Sequence, residues 1–221
     1  MGIYIESLIL YIVLFFSGSA ASIANSAGKA AGFSAAGELE KIFLYTIPSL
    51  ALIWYMLLRG KQAGNLNILP GKKDILSGLI TLPCLLISGF IIALISAYAG
   101  GTSAQISLYS PSSITEWAIL CFSCISAAYL EESYFRFYLL SRKDEFKLGA
   151  ASVLAVSVAL FSICHIYEGT WGILNSVISA VILGVVFLRY QALHGIAIAH
   201  GLYNITVYVV YSIMYARSAL A

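Results

Sequence analysis

The chain has 221 residues, of which 61% are hydrophobic and only 10% are charged, with a mean hydropathy of +0.92. A soluble domain carries roughly 25% charged and 45–50% apolar residues, so this composition excludes an ordinary soluble globule and describes an integral membrane protein. The net charge of +2 is too small to indicate nucleic acid as a partner, or electrostatic capture of an acidic one.

A membrane-spanning helix needs about 20 mainly apolar residues. Seven predicted spans follow in chain order: 3–24, 41–59, 75–99, 115–140, 148–167, 171–189 and 192–216. The fold class is therefore all-α, a polytopic transmembrane helical bundle of about seven spans. It forms one membrane domain over residues 1–221, without repeats or low-complexity tracts.

The first span ends in a small-residue stretch, Ser17-Gly18-Ser19-Ala20-Ala21, that resembles a signal-peptide cleavage site. It lacks a basic leader and carries Glu6, and it reads as a retained helix. A myristoylation signal is excluded, because position 6 is Glu rather than Ser or Thr.

Lys and Arg concentrate in alternate connections. Arg59, Lys61, Lys72 and Lys73 mark 59–74; Arg142, Lys143 and Lys147 mark 141–147; Arg189 marks a third, and 100–114 has none. The positive-inside rule then predicts cytoplasmic connections at these three places, a cytoplasmic N-terminus and an external C-terminus. Lys29 and Lys41 fall on the wrong side of that scheme. Trp54 and Tyr55, with Tyr98, Trp117 and Trp171 at the other end, fit interfacial aromatic belts. The setting is a bacterial-type cytoplasmic membrane, with an active site opening toward the cytoplasm.

The fourth span carries Glu131, Glu132 and Arg136 within six positions. A charge at membrane depth costs about 2.5–3.5 kcal/mol even on lenient insertion scales. Glu132 and Arg136 stand at i and i+4, on one helical face, and form the expected ion pair. Glu131 points about 100° away from Glu132, on the 3.6-residue repeat, and is left as the functional carboxylate. His165 ends the fifth span, where a neutral imidazole beside a carboxylate can orient or deprotonate a water.

The seventh span carries His200 and Asn204 at i and i+4, two hydrogen-bond donors suited to a developing oxyanion. His194 reads as interfacial. Ser126, Ser133, Asn175 and Ser179 are candidates to line a water path. Counted from the cytoplasmic helix ends at about 1.5 Å per residue, Glu131, His200 and Asn204 lie ~14, ~12 and ~18 Å deep, but His165 lies ~26 Å deep.

Glu-Glu-x-x-x-Arg at 131–136, Phe-x-x-x-His at 161–165 and His-x-x-x-Asn at 200–204 occur in this order. Together they resemble the CAAX-protease and bacteriocin-processing family, the glutamic intramembrane endopeptidases related to the Ras-converting enzyme. The likeness covers about 114–206, the expected catalytic core. It implies that Glu131 and His165 activate the attacking water, that His200 and Asn204 stabilise the oxyanion, and that Glu132 and Arg136 hold the site together. It also implies no cofactor, no catalytic metal and no acyl-enzyme. The partners it implies are the lipid bilayer and a peptide or protein substrate, with membrane-anchored and lipidated chains among the candidates.

Three other readings compete. Cys121 and Cys124 have the Cys-x-x-Cys spacing of a zinc site and share a helix with Glu131, although Cys84, Cys121, Cys124 and Cys164 all lie in apolar runs, where cysteine is a common core residue. Intramembrane Glu and His chains also serve transporters. A family member could instead act as a non-proteolytic scaffold or immunity protein.

Overall fold

A computed structural model describes residues 2–16, 33–59, 69–99 and 110–218. The 17–21 stretch, Lys29 and Lys61 lie outside them. The described residues form seven helices: α1 (Ile3–Phe16), α2 (Ala35–Arg59), α3 (Lys72–Tyr98), α4 (Ile114–Tyr138), α5 (Ala150–Cys164), α6 (Gly169–Tyr190) and α7 (Leu193–Ser218). Five of these helical stretches are long and apolar enough to cross a membrane: α2, α3, α4, α6 with the turn before it, and α7. α1 and α5 are shorter. The 15 residues of α5 rise about 22 Å, less than the ~30 Å hydrocarbon layer.

α2 starts six residues before the expected boundary at 41. Ser34 caps it by accepting from the Gly37 N–H at 3.1 Å. Two of its early charges lie together: exposed Lys41 stands 3.6 Å from Glu38, and Glu38 also accepts from the Ser123 hydroxyl of α4. Trp54 also departs from expectation. It is half-buried, its indole N–H donates to Ser133 at 3.2 Å, and its ring packs on Phe137. It belongs to the α2–α4 interface rather than to an aromatic belt.

Contacts between helix ends gather the basic residues at one end of the bundle. Arg142, just after α4, lies 2.9 Å from Glu6 of α1 and 2.9 Å from Glu145. Burial works against the Arg142 charge, but the hydrogen bonds from Glu145 and Glu6 outweigh it and hold its pKa above the ordinary guanidinium value. The Tyr4 hydroxyl donates to the Phe146 carbonyl, so the start of α1 is tied to the connection that follows α4.

At the same end, Asp74 serves two helix starts, which would otherwise leave backbone N–H groups unpaired. One oxygen accepts from Gly71 N–H at 2.9 Å and the other from Gly195 N–H at 3.1 Å. Buried Asp74 was not anticipated, because the predicted third span began one residue after it. The core is a contiguous apolar cluster that includes Phe15, Leu85, Phe135, Phe161, Leu183 and Phe187.

α3 and α7 pack against each other at Gly78 and Gly195. A Cβ at 195 would stand 1.9 Å from the Asp74 carbonyl oxygen and 2.2 Å from Ser77 Oγ, whereas a Cβ at Gly149 would meet nothing within 4 Å. Gly195→Ala should therefore cost about 1–3 kcal/mol, as overpacked cores do. Gly149→Ala should leave stability unchanged. Thermal unfolding of both variants in detergent checks the contrast.

Candidate active site

Glu131 and Glu132 sit where α4 passes into a π-helical turn, Ser133–Tyr138, marked by the Leu139 N–H donating to the Tyr134 carbonyl five residues back at 3.0 Å. Such turns inside α-helices recur at functional sites. Glu132 and Arg136 are fully buried, and Arg136 Nε lies 3.1 Å from Glu132 Oε2. The N–H is poorly aimed at the oxygen, so the contact is an ion pair rather than a good hydrogen bond. Arg136 is fixed further by Ala180 O on α6, 3.3 Å from Nη2, and by the Phe161 ring, 4.6 Å from its guanidinium carbon. The ion pair expected from the sequence is present.

Glu132 has a second partner that the i,i+4 argument did not foresee. Its other oxygen lies 2.8 Å from His200 Nδ1 on α7. A carboxylate accepts and cannot donate, so the hydrogen of this bond lies on Nδ1. The remaining nitrogen, Nε2, is 3.8 Å from Glu131 Oε2. The two adjacent glutamates thus face the two nitrogens of one imidazole. That distance is beyond a hydrogen bond, and Glu131 Oε2, though buried, has no hydrogen-bond partner among the described residues.

His165 lies in the break between α5 and α6, with φ −102° and ψ 12°. Its Nδ1 is 2.8 Å from the Phe161 carbonyl. A carbonyl can only accept, so Nδ1 carries the hydrogen and Nε2 holds a free lone pair. The imidazole stacks on the Phe161 ring at 4.5 Å and 29°. Phe161 therefore connects Arg136 to His165 through its two ring contacts.

His165 and Glu131 line one cavity of about 220 Å³, together with Lys41, Tyr45 and Thr46 of α2 and Tyr167. The sequence count sets His165 deeper than Glu131, yet both border this cavity. α5 begins at Ala150 rather than 148, and the His165 imidazole turns back toward the Phe161 carbonyl.

The remaining candidates divide. Asn204 lies one turn beyond His200, half-buried, and its carboxamide makes no hydrogen bond to any described residue. Neither His200 nor Asn204 lines the cavity shared by Glu131 and His165, so His200 joins the site through the two glutamates. His194 is only half-exposed, and its Nδ1 lies 3.1 Å from the Tyr129 hydroxyl.

None of Ser126, Ser133, Asn175 and Ser179 lines the cavity. Ser133 faces Trp54, and Asn175 accepts from the Tyr203 hydroxyl at 3.1 Å. All four cysteines are free thiols. Among the described residues, no three His, Cys, Asp or Glu side chains are grouped as a metal ion would require. Sequence reasoning also missed Tyr167 and Glu168. Their signal was a carboxylate three residues after His165 in an otherwise apolar stretch.

Residues 111–206 match the family described as Rce1-like, type II CAAX prenyl endopeptidase. No curated protein matches the chain, and no solved structure does. The matched segment runs from the start of α4 into α7 and contains all three motifs. Over this segment, somewhat under half of the chain, the protein is similar to the Rce1-like family of type II CAAX prenyl endopeptidases.

Proposed function

We propose that this protein is a glutamic intramembrane endopeptidase that hydrolyses a peptide bond with a water held between Glu131 and His165. The observation that carries the reading is their shared cavity: an acceptor-only carboxylate oxygen and an imidazole lone pair bordering the same space. A water there can donate one hydrogen to each, which raises its nucleophilicity and positions it for attack, the task of a general base. The proton taken from the water passes to the leaving amine as the tetrahedral intermediate collapses.

Charge developing on the carbonyl oxygen needs preplaced donors. His200 supplies one through Nε2 in its imidazolium form, with Nδ1 anchored on Glu132. Asn204 supplies the second, its carboxamide free of hydrogen bonds to the described residues. Glu132 and Arg136 are positioning residues. The substrate is a peptide or protein segment presented in or at the bilayer. Clustering of Lys72, Lys73, Arg142, Lys143, Lys147 and Arg189 around helix ends supports a cytoplasmic placement of that end, in a bacterial-type cytoplasmic membrane with the site opening toward it.

Glu131→Gln keeps the shape of the side chain and removes the base. It should lower cleavage roughly 10²–10⁴-fold, the usual contribution of general-base catalysis, with unchanged thermal stability. The assay compares wild type and variant in membranes from the same cell, with new peptide termini identified by mass spectrometry. Equal cleavage by the two would overturn the mechanism.

Arg136→Ala should act differently, through the fold. It strands the buried Glu132 carboxylate and should destabilise the protein by about 3–5 kcal/mol, visible as a lowered unfolding midpoint in detergent alongside lost activity.

A further inference from the structure

A second recess lies along α3 and α7, with Tyr129 of α4 at its side, and none of its lining residues borders the Glu131 cavity. Its volume is about 590 Å³, within the roughly 300–1,000 Å³ of small-molecule sites. On α3 the lining runs from Gly71 to Pro83, a rise of ~18 Å. That is close to half of the ~30 Å hydrocarbon layer. The groove therefore reaches from the starts of two spans to about the middle of the bilayer, the depth of one leaflet.

Polarity changes along its length. The outer end holds Asp74, His194 and Tyr129, whose hydroxyl lies 3.1 Å from His194 Nδ1. Further in, the walls are Ile75, Leu79, Leu82 and Pro83 of α3 with Ile198 and Leu202 of α7. Ile75, Leu79, Ile198 and Leu202 are exposed, so the groove opens sideways, where both helices, as spans, meet lipid. An unfilled recess forfeits dispersion contacts along its walls. A flexible hydrocarbon chain entering from the side restores them.

Charge at the outer end is mainly of one sign. Lys72 stands one helical turn before Ile75, on the same face at i and i+3, and both Lys72 and Lys73 are exposed. The chain from 59 to 74 carries Arg59, Lys61, Lys72 and Lys73 against a single acid, Asp74. Both oxygens of that acid already accept backbone N–H groups, from Gly71 and Gly195. The lysines are thus left to answer a negative group from outside, and basic pockets between spans at a membrane surface select anionic headgroups.

We propose that this groove binds one anionic phospholipid, with an acyl chain laid along α3 and α7 and its phosphate at the two helix starts beside Lys72 and Lys73. A phosphate presents acceptor oxygens, and lysine is a donor only. Bound there, the lipid joins α3 to α7, the helix that carries His200. The site is independent of the endopeptidase reading.

The test uses the whole protein, purified in detergent and titrated with dioleoyl phosphatidylglycerol or dioleoyl phosphatidylcholine, which share their chains and differ in net charge. Native mass spectrometry counts the lipids retained and gives their affinity. One phosphatidylglycerol should be held roughly 25-fold more tightly than phosphatidylcholine, about fivefold for each of the two lysines, and should raise the unfolding midpoint. Lys72→Gln should weaken it about fivefold. Adding Lys73→Gln should bring it to the level of phosphatidylcholine, while Lys143→Gln, beyond α4, should change nothing. Leu79→Trp fills the groove from an exposed position and should abolish the tight site. Leu76→Trp, exposed on the same helix but outside the groove, should keep it. Ile198→Trp repeats the test from α7, and unfolding midpoints without added lipid show that each variant is folded.

Equal affinity for the two lipids would overturn the proposal, as would tight phosphatidylglycerol binding that survives both Leu79→Trp and Ile198→Trp. A dimer that Leu79→Trp dissociates would give the groove to a second copy of the chain and would equally end the case. So would a farnesylated peptide retained more tightly than phosphatidylglycerol and lost in Leu79→Trp.

Discussion

The site is organised around one buried carboxylate. Glu132 is fully buried and uses both oxygens, one against Arg136 of its own helix and one on His200 of α7. A charge this deep persists only when it is paired, because desolvation otherwise outweighs any local gain. Pairing in two directions turns that penalty into a constraint on geometry. α4 and α7 cannot slide past each other without stranding the carboxylate. Arg136, in turn, cannot leave the place where it touches Ala180 O and the face of Phe161. Phe161 then stacks on His165 and accepts its Nδ1–H. Four helices are thereby fixed relative to one another by a chain of contacts that starts at one side chain.

This arrangement shows why the two glutamates differ in kind although they are neighbours in sequence. Glu132 has one oxygen hydrogen-bonded to His200, the other paired with Arg136, and no exposure, so it can hold a neighbour but cannot meet a substrate. Glu131, about 100° around the helix, borders the cavity and keeps an unpartnered oxygen. Its separation from Glu132 was readable from helical periodicity, because spacing within one helix is a local property. The second bond of Glu132 was not, because it depends on where α7 lies. The same limit explains Trp54 and Asp74. An aromatic near a span end reads as interfacial, and an acidic residue at a span start reads as solvated, until a neighbouring helix brings Ser133 to the one and Gly195 to the other.

The all-α membrane bundle was legible from composition and span length, since both follow from the hydrocarbon thickness. The helix ends were less so. The expected span at 41–59 begins at Ala35 in the structure, and the one at 148–167 stops at Cys164. Apolar length alone does not show the Ser34 cap that starts α2, nor the His165 imidazole held on the Phe161 carbonyl where α5 ends. Motif residues were found because their types are rare at membrane depth. Tyr167 escaped for the opposite reason, since a tyrosine at the end of an apolar helix is ordinary and only its cavity position distinguishes it.

Chemistry and shape come from different parts of this chain. The motif groups lie on α4, on α7 and at the end of α5, all within the matched residues 111–206. The opposite wall of the cavity is built by Phe15 of α1 and by Lys41, Tyr45 and Thr46 of α2. These residues precede the matched segment, and all four fall in π-helical turns, Ile12–Phe16 and Lys41–Thr46. The two turns are joined by the Tyr45 hydroxyl, which donates to the Leu14 carbonyl. Glu131 and His165 therefore face a wall whose charge is set by α2 and whose shape is set by α1 and α2. The single cation on that wall, among the cavity-lining residues, is Lys41, partly offset by Glu38. A side chain can change there without disturbing Glu132, Arg136 or His200, because none of the contacts of those three reaches α1 or α2. What the cavity admits can thus vary while the arrangement of Glu132, Arg136 and His200 stays the same.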